Sequence, residues 1–217
     1  MNDSESTETR RQQRARETRA KLFQAATELI TQQGYHATSV DRIAARAGVA
    51  KATFFVHFGS KAEIIAALMH IQTDHARKAR EAALPDGPLE AMRAMVEALG
   101  RQAARSRTLS RGVLAATLES EELGGAASAL FDEVLAAMTI DAHAAEEAGL
   151  LAPGVDPNAL ASSLLASYFG ALLTSSLKSD TDMNAVLASL VDGTLRGASR
   201  STEPEPHTSN GRTKTRT

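Results

Sequence analysis

The chain has 217 residues, enough for one large or two small domains, and its hydrophobic residues (43%) can supply a core although aromatic residues make up only 4%. It contains no cysteine, which excludes disulfides and thiolate metal sites. The net charge of −2 hides an asymmetry, since residues 10–61 hold ten Lys and Arg against three acids, whereas residues 62–200 hold eleven against eighteen. The first segment has the positive charge expected of a phosphate-binding surface, with a solvated basic helix surface as the alternative.

The N-terminal residues are polar and acidic and lack the apolar run of a signal peptide. We find no segment of about 18 apolar residues, the length that a membrane span needs. The sequence therefore predicts a cytoplasmic protein without a membrane partner.

The first elements of the chain are short and are separated by glycine. Residues 1–15 are polar and end in an arginine-rich stretch, which predicts a disordered basic arm. An apolar stripe predicts a helix from about residue 16 to Gly34, and Thr38 is the expected N-cap of a second helix that Gly48 ends. A third short helix begins near residue 50. A capping box, Ser60 with Glu63, starts a long fourth helix to about residue 83.

The remaining sequence also has helical periodicity. The predicted helices span about 88–105, 108–119, 126–148, 157–178 and 182–198. Gly124 and Gly125 are expected to delay the start of the third of these, and residues 199–217 read as a disordered tail. No stretch alternates with the period of a strand, so the predicted fold is all-α with about nine helices, and no internal repeat is evident.

Residues 38–61 (TSVDRIAARAGVAKATFFVHFGSK) carry the most information about function. Two short helices with Gly48 and Val49 between them have the spacing of a helix-turn-helix at about residues 39–58, in which the second helix enters a major groove. Phe54 and Phe58 are expected to pack in its core.

This stretch resembles the N-terminal domain of the tetracycline-repressor (TetR) family. The matching residues are Thr38, Val40, Ile43, Ala44, Ala47, Gly48, Val49, Thr53, His57, Phe58 and Lys61. The resemblance implies a three-helix DNA-binding domain at residues 16–76 and a C-terminal helical bundle at residues 77–198 for dimerisation and ligand sensing. It implies no cofactor and no metal site.

The resemblance also implies which residues meet DNA. They are Thr38, Ser39, Arg42, Lys51, Ala52, Thr53, Phe55, His57 and Lys61. The two hydroxyls before the second helix, the histidine and Lys61 would hold phosphate, Lys51 and Thr53 would lie near base edges and phosphate, and Arg42 would reach either. A solvated helix surface is the alternative for Arg42.

Three positions depart from the usual family pattern. Ala50 replaces a frequent Ser, Ala52 a frequent Gly and Phe55 a frequent Tyr, and Val56 is apolar where polar residues are common. Readout by hydrogen bonds is therefore expected to be sparse, leaving more to apolar contacts or DNA shape. The arginines of residues 1–15 are a hypothetical minor-groove contact.

A palindromic operator in double-stranded DNA requires two recognition helices, and hence a homodimer. The last two predicted helices combine leucine with small residues and supply the expected interface. The expected interface residues are Leu160, Leu164, Ser167, Ala171, Leu187 and Leu190. Completion of the monomer core is the alternative role for this stripe.

The family's fold implies a ligand cavity between about residues 88 and 148, with Tyr168 added from a later helix. The expected lining is Met92, Met95, Leu118, Phe131, Met138, His143 and Tyr168, with Leu99, Leu114 and Leu135 as further candidates. The predicted function is a repressor that an unidentified small, apolar effector releases from DNA. A constitutive regulator without effector is the alternative, and an enzyme is disfavoured because no nucleophilic constellation can be drawn.

Overall fold

The computed structural model describes the backbone of residues 2–200 and the side chains of residues 10–200. Nine α-helices lie in the described range. They are α1 (Asn2–Gln33), α2 (Val40–Ala47), α3 (Lys51–His57), α4 (Lys61–Ala83), α5 (Pro88–Ala104), α6 (Arg107–Glu119), α7 (Glu121–Glu147), α8 (Pro157–Leu177) and α9 (Met183–Ala198), with a 3-10 turn at Leu84–Asp86 between α4 and α5. The described residues form no sheet, and an isolated bridge joins Leu151 to Ser199. The all-α expectation is confirmed.

Two hydrophobic clusters define two parts of the molecule. The head consists of α1–α3 and the first half of α4, and its core includes Leu22, Ile30 and Phe54. The body consists of α5–α9, and its core includes Met92 and Leu164. The head's cluster continues into α6 and the start of α7, so the head packs on the body as well as being covalently joined to it by α4.

Helix α1 begins much earlier than expected. The predicted disordered arm, residues 1–15, is helical from Asn2, while Met1 lies outside the described residues. Residues 2–15 contain neither Gly nor Pro, and extending a helix that is already nucleated costs far less than starting one. Arg10, Arg11 and Arg14 therefore lie on an exposed helix continuous with the head.

Two helix starts also differ from the prediction. Ser39, not Thr38, caps α2, and its hydroxyl accepts a hydrogen bond from Arg42 N at 3.3 Å. Helix α7 starts at Glu121 because Ser120 caps it, and Gly124 lies within the first turns. A Cβ at Gly124 would lie 3.2 Å from the Thr117 carbonyl oxygen, so this glycine allows α6 and α7 to meet closely. The apparent helix breaker is a packing residue.

The expected tail is anchored at its first residues. Arg200 N donates to the Leu150 carbonyl at 2.9 Å, and Ala152 N donates to the Ala198 carbonyl at 2.8 Å. The prediction of disorder from residue 199 is therefore wrong for Ser199 and Arg200, because both pair with the α7–α8 connection. Residues 201–217 lie outside the described residues.

The expectation that no segment has the length and hydropathy of a membrane span is wrong. Judged by length and composition alone, α7 and α8 are each long and apolar enough to cross a membrane. The same holds for α3 and α4 when they are taken together as one bent pair. In the fold, α7 and α8 pack against each other and against α5. Their alanines and leucines form part of the core of the bundle. Asp141 of α7 is a charged residue that is buried in the bundle.

Candidate functional site

The turn between α2 and α3 depends on Gly48. Its φ of 71° is left-handed, and its N–H donates to the carbonyls of Ala44 and Ala45. Val49 N also donates to the Ala44 carbonyl, at 3.0 Å. A side chain at Gly48 would strain this backbone, so glycine fixes the angle at which α3 leaves α2. The predicted helix-turn-helix is present.

Helix α3 has one buried and one exposed face. Phe54 and Phe58 are 0% and 1% exposed and their ring centroids lie 5.9 Å apart in the head's core. On the opposite face Ala52 is exposed, and Phe55 and Val56 are 50% and 78% exposed. The aromatic pair therefore anchors the helix while a mostly apolar face remains open.

The cationic residues of this surface are engaged to different degrees. Lys51 Nζ lies 3.0 Å from a carboxylate oxygen of Asp41, and both side chains are more than half exposed. Arg42 is exposed, and its guanidinium reaches the Ala37 carbonyl only at 3.5 Å. An exposed ion pair holds Lys51 weakly, and the hydrogen bond of Arg42 is long. Both cations can therefore move to a phosphate.

Lys61 has a structural role that the sequence did not reveal. Its Nζ donates to the carbonyls of Tyr35 at 2.7 Å and Thr38 at 2.9 Å, and it lies 3.8 Å from the centre of the Tyr35 ring. Desolvation by burial lowers the pKa of Lys61. The ammonium thus ties the α1–α2 connection to the start of α4 and has little capacity left for phosphate.

Thr38 and His57 are also less available than expected. Thr38 is 1% exposed, and its hydroxyl donates to the Gly34 carbonyl at 2.8 Å and accepts from Gln33 at 3.1 Å. The His57 carbonyl accepts a hydrogen bond from Arg19, whose guanidinium lies 4.0 Å from the Phe58 ring. Thr53 and the His57 side chain are partly buried. Of the predicted residues, the exposed ones are Ser39, Arg42, Lys51, Ala52 and Phe55.

A cavity of about 200 Å³ lies beneath the head, between α4 and the body. Five helices, α4–α8, contribute to its lining. The lining residues are Met69, Gln72, Thr73, Leu99, Ala103, Ser110, Val113, Leu114, Thr117, Leu118, Ala127, Leu130, Phe131, Tyr168, Phe169 and Leu172. Leu118, Phe131 and Tyr168, which the sequence analysis expected in the lining, are among them.

Four residues that were expected to line the cavity lie elsewhere. Met92, Met95 and Met138 are buried in the body's core, where they are at most 2% exposed. His143 is on the surface, 3.5 Å from Glu146. Of the further candidates, Leu135 packs against the body core outside the cavity. Periodicity identifies a buried face but does not distinguish packed core from cavity wall.

The cavity is apolar, and its wall lacks acidic and basic residues among those the structure describes. Phe131, Tyr168 and Phe169 form an edge-to-face cluster, with centroids 4.6 Å apart for the two phenylalanines. Burial raises the pKa of the Tyr168 hydroxyl to about 12. Such a cavity suits an uncharged, largely apolar molecule, to which Tyr168 can offer a hydrogen bond.

Most of the predicted dimer interface is inside the monomer. Leu160, Leu164, Ala171 and Leu187 are at most 4% exposed in the body's core. They fill the bundle, in which α8 and α9 contact each other and α5. Ser167 is partly buried, whereas Leu190 is 42% exposed.

Polar contacts join α4 and the head to the body. Arg80, near the end of α4, forms a bidentate pair with Asp141 of α7 at 2.6 and 2.7 Å, and the two side chains are 15% and 3% exposed. At the other end of α4, the Ser60 hydroxyl donates to Glu122 at 3.2 Å. His36, after α1, lies 2.9 Å from Glu119 on α6. The Arg80–Asp141 pair is the least exposed of these contacts.

A helix-turn-helix head on an all-helical body defines a class of bacterial regulatory proteins. Residues 22–68 match the family model described as bacterial regulatory proteins, tetR family. The similarity of the chain to this family therefore rests on residues 22–68, which lie in the head.

The chain is also similar to individual regulators over part of its length. The chain is 42% identical over 59 residues to the transcriptional activator FasR of Mycolicibacterium smegmatis, covering 27% of each chain. It is 43% identical over 95 residues to the regulator TcmR of Streptomyces glaucescens, covering 42% of this chain and 41% of TcmR. The chain thus matches less than half the length of these curated relatives. The structure of SmeT with triclosan has a TM-score of 0.71 at 22% identity, over 85% of this chain and 93% of that one, which shows a shared fold.

Proposed function

We propose that this protein is a sequence-specific, DNA-binding transcriptional regulator that acts as a homodimer on a palindromic operator. The observation that carries the proposal is the exposed face of α3, held outward by Phe54 and Phe58 in a segment with a formal charge of +7. An α-helix fits the major groove, and a basic surface around it supplies the sequence-independent part of the affinity. Such a protein acts in the cytoplasm, on the nucleoid when bound.

The DNA contacts that we propose follow the exposure of the side chains. Ser39 and Arg42 at the start of α2, and Lys51 on α3, would contact phosphates or base edges. Lys61 and Thr38 would act indirectly, because their hydrogen bonds hold the connection between α1 and α2 against α4. Thr53 and His57 would need small side-chain movements to reach the DNA.

Two copies must present their α3 helices about 34–36 Å apart, or a multiple of that, to bind successive major grooves. The outward faces of α8 and α9 suit a second copy of this chain. They carry leucines between small residues: Ala166, Gly170, Leu173 and Leu177 on α8, and Leu190, Gly193 and Gly197 on α9. A Cβ built at any of the three glycines would meet open space, so two such faces can approach closely.

We further propose that an uncharged apolar effector occupies the cavity and releases the protein from DNA. Helix α4 contacts the body, the cavity and the head. Its end is clamped to α7 by Arg80, its middle lines the cavity with Met69, Gln72 and Thr73, and its start holds the head through Lys61. An effector that prefers a different position of α4 would change the spacing of the two heads and weaken operator binding, and DNA would weaken effector binding equally.

The size of the cavity favours a second candidate function. Pockets for drug-sized ligands have volumes of about 300–1,000 Å³, whereas this one has about 200 Å³. A constitutive regulator without effector would need no larger space. The alternative predicts that operator affinity is unaffected by a broad set of apolar compounds.

The DNA-binding proposal is tested by selecting bound fragments from genomic DNA and measuring affinity for the consensus at several salt concentrations. Lys51→Ala and Arg42→Ala should each lower affinity and reduce the salt slope by about one. Lys178→Ala, an exposed charge beyond α8, is the matched control and should bind as the parent does. A protein without salt-sensitive preference for any duplex would overturn the proposal.

The effector proposal is tested with a pair of alanines on α7. Ala127 is 2% exposed in the cavity wall, whereas Ala129 faces solvent. Ala127→Leu fills part of the cavity, so compounds that lower operator affinity of the parent should lose their effect while DNA binding remains. Ala129→Leu should respond as the parent does. An unchanged response in Ala127→Leu would show that the effector binds elsewhere.

A further inference from the structure

The exposed face of α3 has a composition that is unusual for a surface expected to read DNA by hydrogen bonds. Ala52, Phe55 and Val56 lie at positions i, i+3 and i+4, so they share one side of the helix. Val56 is 78% exposed and Phe55 is 50% exposed. These three residues, the apolar triad, form an exposed nonpolar strip on α3.

The residues next to the triad offer little of the usual chemistry for reading guanine or adenine. Paired contacts to guanine edges come mostly from Arg or Lys, and those to adenine edges from Asn or Gln. Of these residue types α3 contains Lys51, which lies at the start of the helix, 3.0 Å from Asp41. Hydrogen-bond readout from α3 is therefore limited to Lys51, Thr53 and His57.

The charge of the segment that contains the triad favours one kind of partner. The triad belongs to the segment of residues 10–61, which has seven more basic than acidic residues, whereas residues 62–200 have seven more acidic than basic ones. A polyanion complements the positive charge of this segment better than a protein of average charge does. Within the major groove of DNA, the apolar group on a base edge is the 5-methyl group of thymine.

We propose that the apolar triad reads thymine 5-methyl groups, so that the operator half-site is specified at its centre by apolar contact. This inference rests on the proposed DNA-binding function. The operator should carry thymines where Val56 and Phe55 meet the groove. Exchange of such a thymine for another base should weaken binding because it removes the methyl group, whichever hydrogen-bonding groups replace it.

The experiment uses the full-length protein and its selected operator. Each thymine of one half-site is replaced in turn by deoxyuridine, which keeps the pairing with adenine and removes only the methyl group. At contacted positions affinity should fall about fourfold, the equivalent of roughly 0.8 kcal/mol for one buried methyl-sized group. Substitutions outside the half-sites should have no effect.

Val56→Ala supplies the second arm. In this variant deoxyuridine at the position that Val56 contacts should cost much less than in the parent, since the two changes remove the same contact. Ile140→Ala removes an exposed apolar side chain of α7, 65% exposed in the body, and should retain the full deoxyuridine effect.

The outcomes separate this inference from the proposed function. Equal affinity for all duplexes would overturn the DNA-binding function itself. Selective binding that no deoxyuridine weakens would overturn only the role of the triad. Selective, parent-like binding by the Phe55→Ala and Val56→Ala variants would assign the strip to another partner and overturn the inference as well.

Discussion

The head and the body place their proposed functional residues in opposite ways. In the head, the residues proposed to meet DNA come from the contiguous stretch 38–61, and Ser39, Arg42 and Lys51 among them are exposed. The cavity draws on α4 and on α5–α8 of the body, between Met69 and Leu172, and most of its lining is buried or half-buried. A surface that meets a rigid partner can be built from one local motif, whereas a cavity exists only where separate helices fail to fill the space between them.

The largest effect is expected at two adjacent phenylalanines of the head. Phe54→Ala removes a fully buried ring and should lower the free energy of unfolding by about 4 kcal/mol. Phe55→Ala, at a residue that is 50% exposed, should cost less than about 1 kcal/mol. Urea denaturation followed by circular dichroism measures both. Similar losses for the two variants would contradict the division of α3 into an anchoring and an open face.

The next effect concerns the link between α4 and the body. Arg80→Met leaves Asp141, which is 3% exposed, without its cation and should destabilise the protein by roughly 3 kcal/mol. Arg77→Met, on the exposed side of the same helix, should leave the unfolding curve close to that of the parent. The double variant Arg80→Met with Asp141→Leu should recover most of the loss. Without such recovery, the cost would belong to lost packing by the arginine stem and not to the stranded carboxylate.

A smaller effect distinguishes glycines of the two regions. Gly48→Ala puts a side chain at a φ of 71° and should cost about 1–2 kcal/mol. Gly125→Ala, in α7 with open space around its Cβ position, should stabilise by up to about 1 kcal/mol because alanine favours the helix. Thermal unfolding of the two variants should therefore shift in opposite directions. Only Gly48→Ala should also lower operator affinity.

The smallest effect is in the alkaline titration of the two tyrosines. Burial raises the pKa of Tyr168 in the body to about 12. Burial, together with Glu122, raises the pKa of Tyr35 in the head as well. Because the folded-state pKa of Tyr168 exceeds its ordinary value of 10.0, the fold favours the neutral phenol. Its contribution to stability is complete below pH 10 and declines as the pH approaches 12.

Phenolate absorbance measured against pH should show Tyr168 ionising last. The Tyr35→Phe and Tyr168→Phe variants assign the two steps. A Tyr168 that titrates near its ordinary pKa would mean that water reaches the cavity freely, and the contrast between an open head and an enclosed body would be weaker.

Local rules were sufficient for much of the head. The turn at Gly48 and the burial of Phe54 and Phe58 were predicted from spacing and residue type, and the structure confirms them. The role of Lys61 was not predictable in this way, because its hydrogen bonds go to carbonyls more than 20 residues earlier in the chain. The α2 cap was misassigned to Thr38 since two neighbouring hydroxyls satisfy the same sequence rule.

For the body, the sequence determined that the chain is helical, where most helices end, and which faces are apolar. Only the tertiary structure decided which apolar residues fill the core, as Met92 and Leu164 do, which line the cavity, as Phe131 does, and which remain outside, as Leu190 does. Periodicity gives the direction of a side chain relative to its own helix axis. What lies opposite that side chain depends on the crossing of helices distant in sequence, which a local pattern does not encode.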